Sequence, residues 1–230
     1  MTVQTFATLK ARQHELQAAN TLSQALSLRV HRALSWLGRA EQETARDDPD
    51  ASFIFHWIAF NAAYADEPTE YDQRRPSESE AFEKYFGRLM MVDIRREIYG
   101  AVVQKFSGEI SSLLENHYVF GPFWSAQSNR TLGEDWNRQF DRLKTTTKTN
   151  LYKKQDTTRV LVEIFLRLNV LRNQLIHGGA TWRGRVNREQ VRDGARILEF
   201  FVPLFVDLMM DSPKEEWGLP GYPHTPAAPA

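Results

Sequence analysis

The chain has 230 residues, 42% hydrophobic and 25% charged, with Lys plus Arg and Asp plus Glu balanced at 29 each. That composition belongs to a globular chain rather than a disordered one, and without net charge any polyanion binding needs a local patch. The absence of cysteine excludes disulfides, a thiol nucleophile and thiolate metal sites; with no signal-peptide layout in the opening residues and no bilayer-length apolar run, a cytoplasmic protein is expected.

Helical periodicity dominates the chain in order. Leu9, Leu16, Leu22, Leu26, Val30, Leu34 and Leu37 recur at three-, four- and seven-residue intervals, predicting a helix over about 5–46 that ends where "DDPD" blocks continuation. "ASFIFHWIAFNAAYADEP" follows, with Phe53, Trp57, Phe60, Asn61 and Tyr64 in a three-and-four rhythm that predicts a buried, aromatic helix. Ser77 and Glu80 stand at capping-box spacing before a third helix, and a fourth is expected over 92–117. "VFGPFWSAQSNRTLGED" reads as an irregular aromatic loop, 134–145 as helix, and "KTTTKTNLYKK" as a basic connector. Asp156 caps a strongly periodic helix over 157–177, and the last helix spans 188–210, with Asn187 and Gln190 placed as a capping box. The tail from 212 to 230 is rich in proline and is expected to stay unfolded. These segments predict an all-α bundle of six to eight helices in a single domain over 1–211.

The stretch "LRNQLIHGG" closes the 157–177 helix. At about 100° per residue, Leu161, Ile164, Leu168, Leu171 and Leu175 form a core stripe, while Asn169, Asn173 and His177 line a second face bordered by Val162, Phe165 and Ile176. A polar row with an apolar margin suggests a groove. Arg172 lies about 140° around the helix from His177, so the two share no face by spacing alone. The long arginine stem and the release of the chain at Gly178 and Gly179 make convergence on one anion feasible. The plain structural alternative is a capped helix end with two satisfied polar side chains.

Arg172-Asn173-Gln174-Leu175-Ile176-His177, the helix-ending "HGG" and the upstream "FHWIAFNAAYA" together resemble the HEPN superfamily, in particular its larger stand-alone bacterial members, sometimes called Apea-like. The resemblance covers about residues 20–210 as architecture and 53–64 and 165–182 as recognisable residues. It implies a four- to five-helix core, with an extra N-terminal helix and a helical insertion at about 66–150 here. It also implies a homodimer that faces two Arg/His motifs across a cleft, and metal-independent cleavage of RNA through the substrate's own 2′-hydroxyl. On this likeness His177 assists proton transfer, Arg172 binds the scissile phosphate, and Asn173 holds the phosphate or orients His177. No metal or other cofactor is implied, and the sequence has neither a His-x-x-x-His pair nor a carboxylate cluster in a paired-acid context around Glu134, Asp135 or Asp141. Members paired with a nucleotidyltransferase antitoxin carry a Tyr two residues after the His; Gly179 occupies that position here. The additions leave room for a regulatory protein partner. A non-catalytic relative that binds RNA, nucleotide or a partner protein is the second expectation.

Beyond the motif, Trp182 is placed to stack on an unpaired base and Arg183, Arg185 and Arg188 to track phosphates, against the alternative of a solvated loop. The lysines of the 144–154 connector offer a further phosphate contact, but a solvated loop is the favoured account of them. Asn61, one turn after Trp57, is a candidate for lining the cleft or for satisfying a backbone group.

Overall fold

The computed structural model describes residues 4–67, 76–129 and 135–222. Among them every regular element is helical, and the one extended pairing is an isolated bridge between Asp66 and Pro220.

The expected long N-terminal helix is two helices. α1 (Phe6–Ala18) starts at a reciprocal Thr5–Thr8 cap, and α2 (Gln24–Ala45) restarts at Ser23, whose hydroxyl accepts the Leu26 N–H. Asn20 between them takes a left-handed φ of 51°, a conformation asparagine tolerates. Apolar spacing conceals the break because Leu16 and Leu22, on either side of it, both pack on the core.

α3 (Pro49–Tyr64) opens with Asp48 as cap and proline in its first turn, where the missing N–H costs nothing. α4 (Glu78–Val92) carries the predicted Ser77–Glu80 capping box. The helix expected over 92–117 is interrupted. Arg96 is left-handed, and the Asp93 carboxylate accepts the N–H groups of Glu97 and Ile98, both at 2.9 Å. α5 (Glu97–Gly100) thus leads into a π-turn (Ala101–Lys105) and α6 (Ser107–Glu115).

The expected aromatic loop contains a 3-10 turn (His117–Val119) and α7 (Gly121–Asn129). The expected basic connector is helical as well: α8 (Asp135–Thr149) passes into a π-turn (Asn150–Lys154). Lys144 and Lys148 approach Glu115 at 3.5 and 3.1 Å, so these charges tie α8 to α6. Within the expected 66–150 insertion, residues 68–75 and 130–134, Glu134 among them, lie outside the described residues. α9 (Thr157–Ile176) starts at the predicted Asp156 cap, and α10 (Arg188–Asp211) matches its expected span. Asn187 holds the N-cap position but makes no side-chain cap bond: it is left-handed, and its amide donates to Gln174 Oε1 at 2.8 Å.

One hydrophobic cluster runs from Leu9 to Trp217. At its centre Trp57 and Phe60 of α3 meet Phe82 and Phe86 of α4, Phe165 of α9 and Phe205 of α10. Burying each such ring is worth roughly 1.5–3 kcal/mol, and that clamps α9 against α3. Gly194 lets α10 come close: a Cβ there would sit 2.7 Å from Phe53 and 2.9 Å from Leu168.

The tail departs from expectation as far as Tyr222. Trp217 is buried against Tyr85, with its indole N–H donating to Ser212 O at 2.9 Å. Gly218 turns with φ 79°, and any side chain on it would strike the Asp66 carboxylate. Beyond it, Leu219 O accepts the Glu67 N–H at 3.0 Å. Proline content hid this docking because a single tryptophan supplies the anchor. Residues 223–230 lie outside the described residues. No described helix is long and apolar enough to cross a membrane.

Candidate functional site

α9 ends as its sequence dictates. His177 is the C-terminal cap, its N–H donating to Asn173 O at 3.0 Å, and Gly178 takes a left-handed φ of 72°, which only glycine adopts without strain. Ala180 N–H then closes on Gln174 O at 2.9 Å. His177 is therefore carried to the surface, exposed along with its neighbour Ile176.

Half-buried Arg172 faces a different environment. Its Nη1 donates to Asn173 Oδ1 at 2.7 Å, while Nε is buried without a partner. Among the described residues it forms no ion pair. It lines an open cavity of about 530 Å³ together with Asn169 of α9, Trp57, Ile58, Asn61 and Tyr64 of α3, Glu78 of α4 and Arg32 of α2. The docked tail supplies the remaining wall through Pro220, Gly221 and Tyr222.

The polar groups of this cavity are unevenly committed. Tyr64 donates its hydroxyl to Glu78 Oε2 at 2.9 Å. Burial raises the Tyr64 hydroxyl well above the ordinary tyrosine range, the Glu78 charge pushes the same way, and the positive charge of Arg172 opposes both. Arg32 donates to the carbonyls of Gly221 and Tyr222, both at 2.6 Å, and among the described residues forms no ion pair. The carboxamides of Asn61 and Asn169 have no hydrogen-bond partner in the described structure. Two guanidiniums without carboxylate partners, two free amides and one carboxylate thus share one hollow. Such a set offers an anion guanidinium donors with neutral donors and acceptors beside them.

The residues expected from sequence divide accordingly. Arg172 and Asn61 line the same cavity, and Asn173 orients Arg172 from beside it. His177 is outside the lining, at the surface end of the same helix. Trp182, Arg183 and Arg185 sit on the exposed loop after it. That loop is pinned to the start of α3: Trp182 Nε1 donates to Asp48 at 3.2 Å, the Arg183 N–H to Asp50 at 3.0 Å, and Arg188 pairs with Asp50 at 2.8 Å. Arg188 is spent on that bridge, whereas the Arg183 guanidinium lies over the Trp182 ring at 4.7 Å and stays exposed.

Arg32, Tyr64, Glu78 and the tail residues were not signalled as site residues by the sequence, and Tyr64 read as plain core. Their only local signal was the Asn169 row with its apolar margin, which did imply a groove. Among the described residues, no group of three or more His, Asp or Glu side chains is placed to hold a metal ion. Compared with protein-family models, with curated proteins and with solved structures, the chain matches none.

Proposed function

We propose that this chain is a metal-independent endoribonuclease of the HEPN type, working as a homodimer with Arg172 and His177 as its catalytic residues and Asn173 as the residue that positions Arg172. The observation that carries the reading is Arg172: a guanidinium without a carboxylate partner, steadied by Asn173, at an open cavity on the helix that His177 ends. An arginine left unpaired in a hollow is poised for an external anion, and its fork fits two phosphate oxygens.

The chemistry balances without a cofactor. A base takes the proton of the ribose 2′-hydroxyl while that oxygen attacks phosphorus. The bond to the 5′-oxygen breaks, and an acid returns a proton to the departing oxygen, leaving a 2′,3′-cyclic phosphate and a 5′-hydroxyl. Arg172 stabilises the charge that gathers on the phosphoryl oxygens, commonly the largest catalytic contribution. One His177 supplies one proton-transfer group; His177 of the partner subunit supplies the second. Exposed Ile176, Trp182 and Val186 surround this end of the helix, and a twofold-related copy laid over them would remove that apolar surface from water. RNA is then held between the cavity and the loop carrying Trp182, Arg183 and Arg185.

Incubation of labelled RNA with the protein in EDTA tests this. Cyclic-phosphate ends that vanish in both Arg172→Ala and His177→Ala are the expected outcome, and adding His177→Ala subunits to the parent protein lowers cutting beyond simple dilution where one cleft draws a His177 from each chain. A second reading, a non-catalytic module that binds RNA, nucleotide or a partner protein through the same cavity, is favoured by the position of His177 outside the lining. Tight RNA binding with no cutting would select it.

A further inference from the structure

We propose that the cavity is a subsite for one nucleotide unit, selective for bases that carry an exocyclic amino group, and that the C-terminal segment 219–222 is its outer wall. The RNA reading above supplies the polymer to which this unit belongs; the subsite itself is argued from the cavity's own groups.

The volume of about 530 Å³ and the open mouth admit a base with its ribose and phosphate while leaving the chain outside. The lining is divided by chemistry. Trp57, Ile58 and the Tyr64 ring form an apolar side, with the back of Tyr64 already stacked on Phe60 at 4.5 Å. Arg172 and Arg32, from α9 and α2, line the same cavity without an ion pair among the described residues, Arg32 also donating to the tail carbonyls, and we assign the phosphate to them. In the same lining, Asn61 and Asn169 each present a donor and an acceptor with no partner in the described structure. Unpartnered amides at an open cavity wall are well placed to read the edge of a ring.

Glu78 sets the preference. Its Oε2 accepts from Tyr64, and a carboxylate can only accept. A ring edge offering an amino group gains a charge-assisted bond there, whereas uracil has only its ring N–H, flanked by two carbonyl oxygens that a carboxylate repels. A site built to hydrogen-bond a group rejects analogues lacking it far more strongly than an apolar pocket does. Arg32 has a second duty. Its bonds to the carbonyls of Gly221 and Tyr222 hold the tail in place, and the Tyr222 ring, almost wholly exposed at the rim, is free to cover an entering base.

The test is calorimetric titration of the full-length protein with AMP, GMP, CMP, UMP and inorganic phosphate separately. At least one of AMP, GMP and CMP is expected to bind tenfold or more tighter than both UMP and phosphate. Asn61→Ala and Asn169→Ala, which remove the amides without adding charge, each weaken that nucleotide at least fivefold and leave phosphate within twofold. Arg172→Ala weakens nucleotides and phosphate together. Thermal melts accompany each variant so that loss of binding is scored only on folded protein. Affinities that do not separate the bases, or that equal phosphate alone, overturn the subsite even where the protein cuts RNA. Base-selective binding by a protein that cuts no RNA upholds the subsite and removes the ribonuclease reading instead.

Discussion

Arg167 and Arg172 stand five residues apart on the same helix, and their surroundings are opposite. Arg167 is buried, paired with Glu163 at 2.8 Å, and lies over the rings of Phe120 and Phe140 at 4.3 and 5.2 Å. Burial lowers its pKa from the usual arginine value while the Glu163 charge opposes that shift. Arg172 has only the Asn173 side chain and a cavity. The histidines repeat the contrast: His56 is sealed in the core, with Nδ1 donating to Ser52 O at 2.9 Å and Nε2 unpartnered, whereas His177 is exposed at a helix end. The difference between the two arginines is a carboxylate: Arg167 has one inside the protein, and Arg172 has none among the described residues.

The sharpest way to break that contrast is to remove each arginine in turn. Arg167→Ala strands Glu163 beneath the α7–α8 aromatic layer, and breaking a buried pair in this way costs about 3–5 kcal/mol. Urea denaturation is expected to report that loss, while the folded fraction retains its RNA cleavage per molecule. Arg172→Ala is expected to do the reverse. Cleavage in EDTA falls by about 10²–10³, the usual cost of losing one group that stabilises developing charge, and the denaturation midpoint hardly moves.

His56 sharpens the same division through pH. Desolvation by burial holds its pKa at about 4, below the ordinary value of 6.5, with the Ser52 hydrogen bond opposing the shift. The unfolded chain therefore takes up a proton first as pH falls. Stability from neutral His56 is complete above about pH 6.5 and is lost progressively towards pH 4, in total about 3 kcal/mol. Denaturation curves across that range should lose this part of their slope in His56→Gln; a slope unchanged in that variant would show that another group governs the acid response.

Asn173→Ala is the mildest change. A hydrogen bond to a charged group contributes about 1.5–3 kcal/mol at most, and Arg172 keeps its stem packing without it. A loss of about tenfold in cleavage rate is expected, with KM less affected than kcat, because Asn173 positions the guanidinium and need not touch RNA itself. A change confined to KM would instead place Asn173 in direct substrate contact.

These contrasts also explain what was legible in the sequence. Local rules carried α9 well: the Asp156 cap, the stripe of Leu161, Ile164, Leu168 and Leu171, and the glycine stop all lie within a few residues of one another. They placed Arg172, Asn173 and His177 correctly on the helix and its end. They could not say which of two arginines is spent, because Phe120 and Phe140 reach Arg167 from some 27–47 positions away in the chain. The cavity was illegible for the same reason, being assembled from α2, α3, α4, α9 and the tail. Composition misread the tail because a proline count is blind to one buried Trp217. Periodicity misread the N-terminal break because Asn20 interrupts the backbone without interrupting the apolar rhythm. The all-α class survived these errors because they change where helices stop, and every stop is still flanked by helix.

The central claim is that Arg172, in the cavity wall, and His177, on the surface beyond it, serve a single phosphodiester. A double-mutant cycle on kcat/KM in EDTA measures this directly, using Arg172→Ala, His177→Ala and both together. Groups that act as a unit are strongly non-additive, so the double variant should be no more than about threefold worse than the poorer single. Losses that multiply, or a His177→Ala enzyme as fast as the parent, would contradict the account.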